Sequence, residues 1–148
     1  MSRASTATAL PLLIADLYEA AGALRHRGDR IASVAAQTQA RWQLLSALDD
    51  ERGSTVPKIA RRLGLTRQAV QRTADQLRDD GLAAFESNPD HERSPLVRLT
   101  TAGREALTEI AAAAGDWHLL AADGLKPDEI ETTRRVLRTL TAAANRSQ

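Results

Sequence analysis

The chain has no cysteine, which excludes disulfides, thiolate metal ligands and cysteine-based redox sensing. Its histidines, His26, His91 and His118, lie far apart in sequence without a ligand-spaced partner set, so no metal centre is expected. There is no glycine-rich phosphate loop with its lysine and no serine nucleophile elbow. The adjacent acids Asp79 and Asp80 most simply end a helix. With these groups missing, the sequence predicts no enzyme, no catalytic residue and no cofactor. No run approaches 18 consecutive apolar residues, so neither a membrane span nor a membrane partner is expected. The first ten residues hold one basic side chain, Arg3, and are followed by Asp16 and Glu19; this pattern predicts no secretory leader and a cytoplasmic location.

Acidic residues are also missing locally. The formal net charge is +1 over 148 residues, but from Thr55 to Ala74 there are five bases (Lys58, Arg61, Arg62, Arg67, Arg72) and no acid. A positive stretch beside a nearly neutral remainder attracts a polyanion without making the whole surface adhesive. A length of 148 residues suits one domain with extensions.

Hydrophobic spacing divides the chain into helices and one hairpin. Leu13, Ile14, Leu17, Ala21 and Leu24 predict a helix from Leu10 to about Arg27. Trp42, Leu45 and Leu48 predict a second, over Thr38 to Asp49, closed by Asp50-Glu-Arg-Gly53. Thr55 caps a short third helix that carries Pro57 near its start and ends at Gly64. Gly64-Leu-Thr66 is then a hinge, and Thr66 caps a basic helix that runs to about Asp80, with Gly81 at its end. On that helix Val70, Ala74 and Leu77 fall at i, i+4 and i+7 and should face a core, leaving Gln68, Gln71, Arg72 and Asp75 as a polar stripe. Two short extended segments, 82–87 and 96–99, flank the turn-rich Asn88-Pro-Asp-His-Glu-Arg-Ser-Pro95 and read as an antiparallel hairpin. A further helix starts at Thr100, with an apolar face of Leu107, Ile110, Ala111 and Ala114. The last follows Lys126-Pro-Asp-Glu129 and lines up Ile130, Thr133, Leu137 and Leu140, its early acids favouring the helix dipole.

The fold class predicted is predominantly α with a small antiparallel β wing: a winged helix-turn-helix with terminal dimerisation helices. Its expected parts are an N-terminal arm and dimerisation helix (1–37), the winged helix-turn-helix (38–100) and C-terminal dimerisation helices (101–148). The partner is double-stranded DNA. In such a device the second helix enters the major groove while the first supports it. Gln68 and Gln71 each donate and accept, matching an adenine edge; Arg67 and Arg72 suit either a bidentate bond to guanine or a phosphate. Thr66 orients the helix and is placed to touch phosphate. Lys58, Arg61 and Arg62 suit backbone attraction. In the hairpin, Arg93 is a candidate for the narrow minor groove with Asp90 positioning its guanidinium, and Arg98 is a phosphate candidate nearer the strand base. Glu92 opposes a uniformly basic wing. A homodimer places two reading helices on half-sites about 34 Å apart, with Leu10, Leu13, Ile14 and Leu17 and then Ile130, Leu137 and Leu140 as contacts.

Three stretches also resemble the MarR family of winged-helix transcriptional regulators: Ile59 to Leu77, Asp80-Gly-Leu82, and Asn88 to Thr100 with Gly103 and Arg104. The likeness covers about residues 10 to 144. It implies paired terminal helices, a symmetric operator, repression of nearby genes and, in many members, release by a small, often aromatic ligand. The match assigns Thr66, Arg67, Gln68, Gln71 and Arg72 to the recognition helix, and Asp90 and Arg93 to the wing. His91-Glu92 departs from the more basic wing tip usual in the family. A family-like effector pocket would draw on Tyr18, Arg25, His26 and Trp42. The alternative is a winged-helix dimer that binds mainly a small ligand or a protein, with little sequence-specific DNA reading.

Overall fold

The structure, a computed structural model, describes residues 3–50 and 52–146. The outermost residues of segments 1–37 and 101–148, and Glu51 in the turn after the second helix, lie outside them. The elements are α1 (Arg3–Ala32), a 3-10 turn (Ser33–Ala35), α2 (Gln39–Ala47), β1 (Ser54–Thr55), α3 (Val56–Leu63), α4 (Arg67–Asp79), β2 (Ala83–Glu86), β3 (Leu96–Leu99), α5 (Thr101–Ala121) and α6 (Pro127–Asn145). They form two compact units, 1–113 and 114–148, with the division falling inside α5.

Three threonines start three helices in the first unit. Thr38 Oγ1 accepts from Arg41 N–H at 3.3 Å, Thr55 Oγ1 from Lys58 N–H at 3.4 Å, and Thr66 Oγ1 from Ala69 N–H at 3.1 Å. Each satisfies a backbone donor that the first helical turn leaves open. Between α3 and α4, Gly64 takes φ +66°, and Leu65 N–H reaches back to Ala60 O at 3.0 Å. A side chain at that φ would be strained, so the tight hinge of the helix-turn-helix calls for glycine.

The core lies in this unit. Leu44, Leu45 and Leu48 from the second helical region, Ile59 from α3, Val70 and Leu77 from α4, Val97 from β3 and Ile110 from α5 are its largest fully buried side chains. Leu44 was not part of the expected stripe of Trp42, Leu45 and Leu48, and Trp42 is only half-buried. On α5, Ile110 and Ala114 are buried as expected but Ala111 is exposed.

Other expectations are corrected. The first helix extends well beyond Leu10 to Arg27 at both ends. Its first turns are Ala, Ser and Thr, which carry no apolar period to announce a helix; its last turn ends in Ile31 and Ala32, both buried, so packing extends it. The hairpin is part of a three-stranded antiparallel sheet in the order β1-β3-β2. Ser54 pairs with Val97 and Thr55 with Leu96 on one side, and Ala83 to Glu86 pair with Leu99 to Leu96 on the other. β1 is two residues long and too short to show alternation. The expectation of no membrane-length apolar segment also changes: the helical stretch 4–35 is long and apolar enough, by length and composition, to cross a membrane, and its most apolar 18-residue window has mean hydropathy 1.3 with none of that window buried. Small residues and threonines interrupt its apolar runs without lowering the mean much.

In the second unit α6 has no buried residue. The Glu129 carboxylate accepts from Lys126 N–H at 3.0 Å, closing the first turn. Glu131 pairs with Arg134 and Arg138, each at 3.0 Å, on an exposed face.

The Leu-Thr-x-x-Gly sequence after the wing has a mechanical reason. Thr100 N–H donates to Leu82 O at 3.1 Å, its Oγ1 donates to Gly81 O at 2.7 Å, and the same hydroxyl accepts from Gly103 N–H at 3.0 Å. Thr100 thus ties the end of α4 to the start of α5. A Cβ at position 103 would clash with Leu82 O, a backbone atom that cannot simply swing aside. Gly103→Ala is expected to destabilise the protein by about 1–3 kcal/mol through forced backbone displacement, measured by chemical denaturation; unchanged stability would refute the close approach.

Candidate nucleic-acid interface

The rotation of α4 about its axis is fixed from below. Val70, Ala74 and Leu77 are buried, and Arg67, Gln68, Gln71 and Arg72 on the other faces are exposed. Two links hold the neighbouring α2 in place: Asp29 Oδ1 accepts from Gln39 N–H at 2.8 Å, and Arg41 pairs with Asp80 at 2.5 Å. The second pair has Asp80 more than half exposed, so its worth is mainly geometric.

A groove of about 310 Å³ runs where α4 meets the wing. Its wall comprises Val56 and Pro57 from the first turn of α3, Arg67, Gln68 and Gln71 from α4, and Arg93, Ser94 and Pro95 from the wing loop. Two guanidinium groups and two amides face one concavity, and among the described residues no acid lines it. Arg67 and Arg93 carry positive charge of the kind that suits a phosphate, and each glutamine carries a donor and an acceptor of the kind that suits a base edge. Sequence spacing placed Arg93 on a wing but gave no measure of its nearness to α4.

The wing loop is organised by Asn88, a residue that sequence reasoning treated only as turn-forming. Its Nδ2 donates to Ser94 O at 2.8 Å, its Oδ1 accepts from Asp90 N–H at 3.0 Å, and its carbonyl accepts from His91 N–H at 3.2 Å. Asn followed by Pro at a turn was the available signal. No Asp90–Arg93 ion pair is found among the described residues; Asp90 is tied into the loop by its backbone N–H, which donates to Asn88 Oδ1. Glu92 is exposed.

The remaining site residues are distributed around this groove. Thr66 caps α4 as expected. Arg72 lines a separate depression of about 170 Å³ with residues of α2 and α3, including Leu44 and Leu63. Lys58 and Arg61 are exposed on α3, whereas Arg62 Nη1 donates to Ala47 O at 3.4 Å and so helps hold α3 against α2. Arg98 pairs with Glu86 at 2.5 Å across the strand bases and lines a polar cleft with Asp49, Asp50 and Arg104, away from the groove. Trp42 lines a cleft of about 280 Å³ with Arg62 and Gln43, which contains none of Tyr18, Arg25 and His26; those three are exposed on α1.

Residues 38–94 match the model of the MarR family. An uncharacterized protein of Mycobacterium tuberculosis is 47% identical over 131 residues, covering 88% of this chain and 91% of that protein. Among solved structures, the M. tuberculosis transcriptional regulator MOSR in complex with DNA superposes with a TM-score of 0.78 at 22% identity, over 91% of this chain and 97% of that one. CouR of Rhodococcus jostii bound to p-coumaroyl-CoA gives 0.77 at 18% identity, over 84% and 87%.

If the Asn88 bonds are what hold Arg93 over the groove, Asn88→Ala, which removes no charge, should weaken DNA binding by about 1 kcal/mol. Titration of labelled duplex with both proteins checks this, and equal affinities would show that the wing needs no such brace.

Proposed function

The chain belongs to the MarR family of winged-helix, DNA-binding transcription regulators, and from that membership we propose that it binds a twofold-symmetric operator as a homodimer, represses nearby genes and leaves the DNA when a small aromatic ligand binds. The observation that carries the DNA-reading part is the acid-free groove in which Arg67, Gln68 and Gln71 of α4 meet Arg93 of the wing. Gln68 and Gln71 are the base contacts; Arg67 and Arg93 neutralise phosphate or enter the adjacent minor groove. Lys58 and Arg61 add positive field from the supporting helix. Arg72, outside the groove, is a flanking phosphate contact.

Segments 1–37 and 101–148 act in pairing. On α1, Leu12 and Tyr18 are 72% and 76% exposed, and Leu13, Ile14 and Leu17 stand beside them with more than a third of their surface open. Leu10 is half-buried at the edge of this face. In the second unit Ile130 is 44% exposed, with Leu137 and Leu140 half-buried on the same helix. Apolar faces of this extent on separate helices call for cover, and a second copy of the chain supplies it without invoking a membrane. For effector control, Trp42 beside Arg62 offers a ring and a cation to an aromatic acid, and the solved complex of CouR with p-coumaroyl-CoA supports that reading. Tyr18, Arg25 and His26 join that site only if the partner chain brings them near.

Gln68→Ala is expected to lose about 1–3 kcal/mol on the operator but little on unrelated duplex, read by competition titration against both DNAs. Equal losses on both would reduce Gln68 to a backbone contact. Leu17→Asp is expected to give monomers in analytical ultracentrifugation and to weaken operator binding by roughly a hundredfold or more, as joint engagement of two half-sites is lost. A stable dimer with unchanged affinity would place the pairing surface elsewhere.

A further inference from the structure

Gln71, Asp75 and Arg78 lie at i, i+4 and i+7 on α4, in one row that leads from the groove toward the wing. Asp75 Oδ1 accepts from Gln71 Nε2 at 3.2 Å and from Arg78 Nη1 at 2.9 Å. Arg78 is itself held elsewhere: its Nε and Nη2 donate to Asp79 Oδ1 at 3.1 and 2.9 Å, and its guanidinium carbon stands 5.5 Å from the ring centre of Phe85 on β2. The carboxylates around Arg78, Asp79 foremost, push its basicity further up. The Asp75 carboxylate is therefore braced from one side by an arginine that spans two carboxylates and an aromatic face.

An ionised carboxylate only accepts hydrogen bonds, whereas a glutamine amide has a donating end and an accepting end that exchange by rotation about its last torsion. With its NH₂ turned to Asp75, the Gln71 amide keeps its carbonyl oxygen as the group available to a partner, together with the second N–H. We propose that Asp75 is a positioning residue for sequence recognition: it fixes which end of the Gln71 amide is offered in the groove, and so selects an amine-bearing base edge, adenine first. Adenine presents an exocyclic amine beside the N7 acceptor, which matches a fixed carbonyl and the remaining N–H; guanine and thymine present acceptors where the carbonyl would sit. This inference rests on the reading of Gln71 as a base contact, and it adds Asp75 and Arg78 as residues that act through the Gln71 amide.

Asp75→Ala and Asp75→Asn separate positioning from charge. Both remove a negative charge beside the DNA, but only asparagine keeps a carbonyl oxygen to accept from Gln71. The measurement is selection from a duplex library randomised across the operator, performed with the full-length wild type, both variants and Gln71→Ala. In the wild type one operator position should favour adenine over guanine by roughly tenfold or more. Gln71→Ala and Asp75→Ala should both flatten that position, while Asp75→Asn should preserve it, even though both Asp75 variants bind DNA more tightly overall. If Gln71→Ala flattens a position that Asp75→Ala leaves intact, the positioning role is overturned with the base contact standing. If Gln71→Ala changes no position, the base contact itself falls, and the inference with it. Side-chain amide NMR relaxation of Gln71 in the unaltered protein gives a test independent of variant folding: an ordered amide is expected, and a freely rotating one would overturn the proposal.

Discussion

Burial of Val70, Ala74 and Leu77 fixes how α4 is turned, and the interface depends on that rotation. Successive residues of a helix are separated by about 100°, so slipping α4 by one position would carry charged or amide side chains into the core. Burying Val70 and Leu77 is worth about 1.5–3 kcal/mol each, and burying an unpaired arginine in their place would cost more than that gain. The apolar face therefore decides which side chains remain outside. Thr66 and Gly64 set where the helix starts, and α3 with its first-turn Pro57 supplies the other wall of the groove.

A second constraint operates from the far end of the helix. Thr100 joins the carbonyls of Gly81 and Leu82 to the first turn of α5, and the missing side chain of Gly103 lets the two backbones approach. Strand β2, which begins at Ala83, is thereby anchored to the end of α4. Arg78 stacks on Phe85 across the same junction. Through β2 and the Asn88 loop, this junction is continuous with Arg93, so helix and wing reach the groove as parts of one frame rather than as independent contacts.

Much of this was legible in the sequence, for physical reasons that can be stated residue by residue. The helix-turn-helix announces itself because threonine caps, a glycine hinge and an i, i+4, i+7 apolar row are local signals, and the structure keeps all three. Features governed by distant partners were not legible. β1 exists only because β3 passes beside it, Arg98 is drawn to Glu86 by strand pairing, and Asn88 rather than Asp90 shapes the wing because its amide reaches Ser94 across the loop. The extent of α1 was hidden at its start by small residues without period and at its end by packing that sequence spacing does not record. The ligand candidates on α1 were not legible for the same reason: Tyr18, Arg25 and His26 lie exposed on one helix, away from the cleft that Trp42 lines.

Two copies of a buried-face helix, each flanked by an arginine wing, should leave a distinctive imprint on DNA. The most direct measurement is hydroxyl-radical footprinting of the protein on a fragment selected from its source genome. Two equivalent protected regions related by a twofold axis, their centres about one helical turn or a multiple of it apart with flanking protection from the wings, are the expected result. A single protected region, or uniform protection along the fragment, would contradict paired reading by α4.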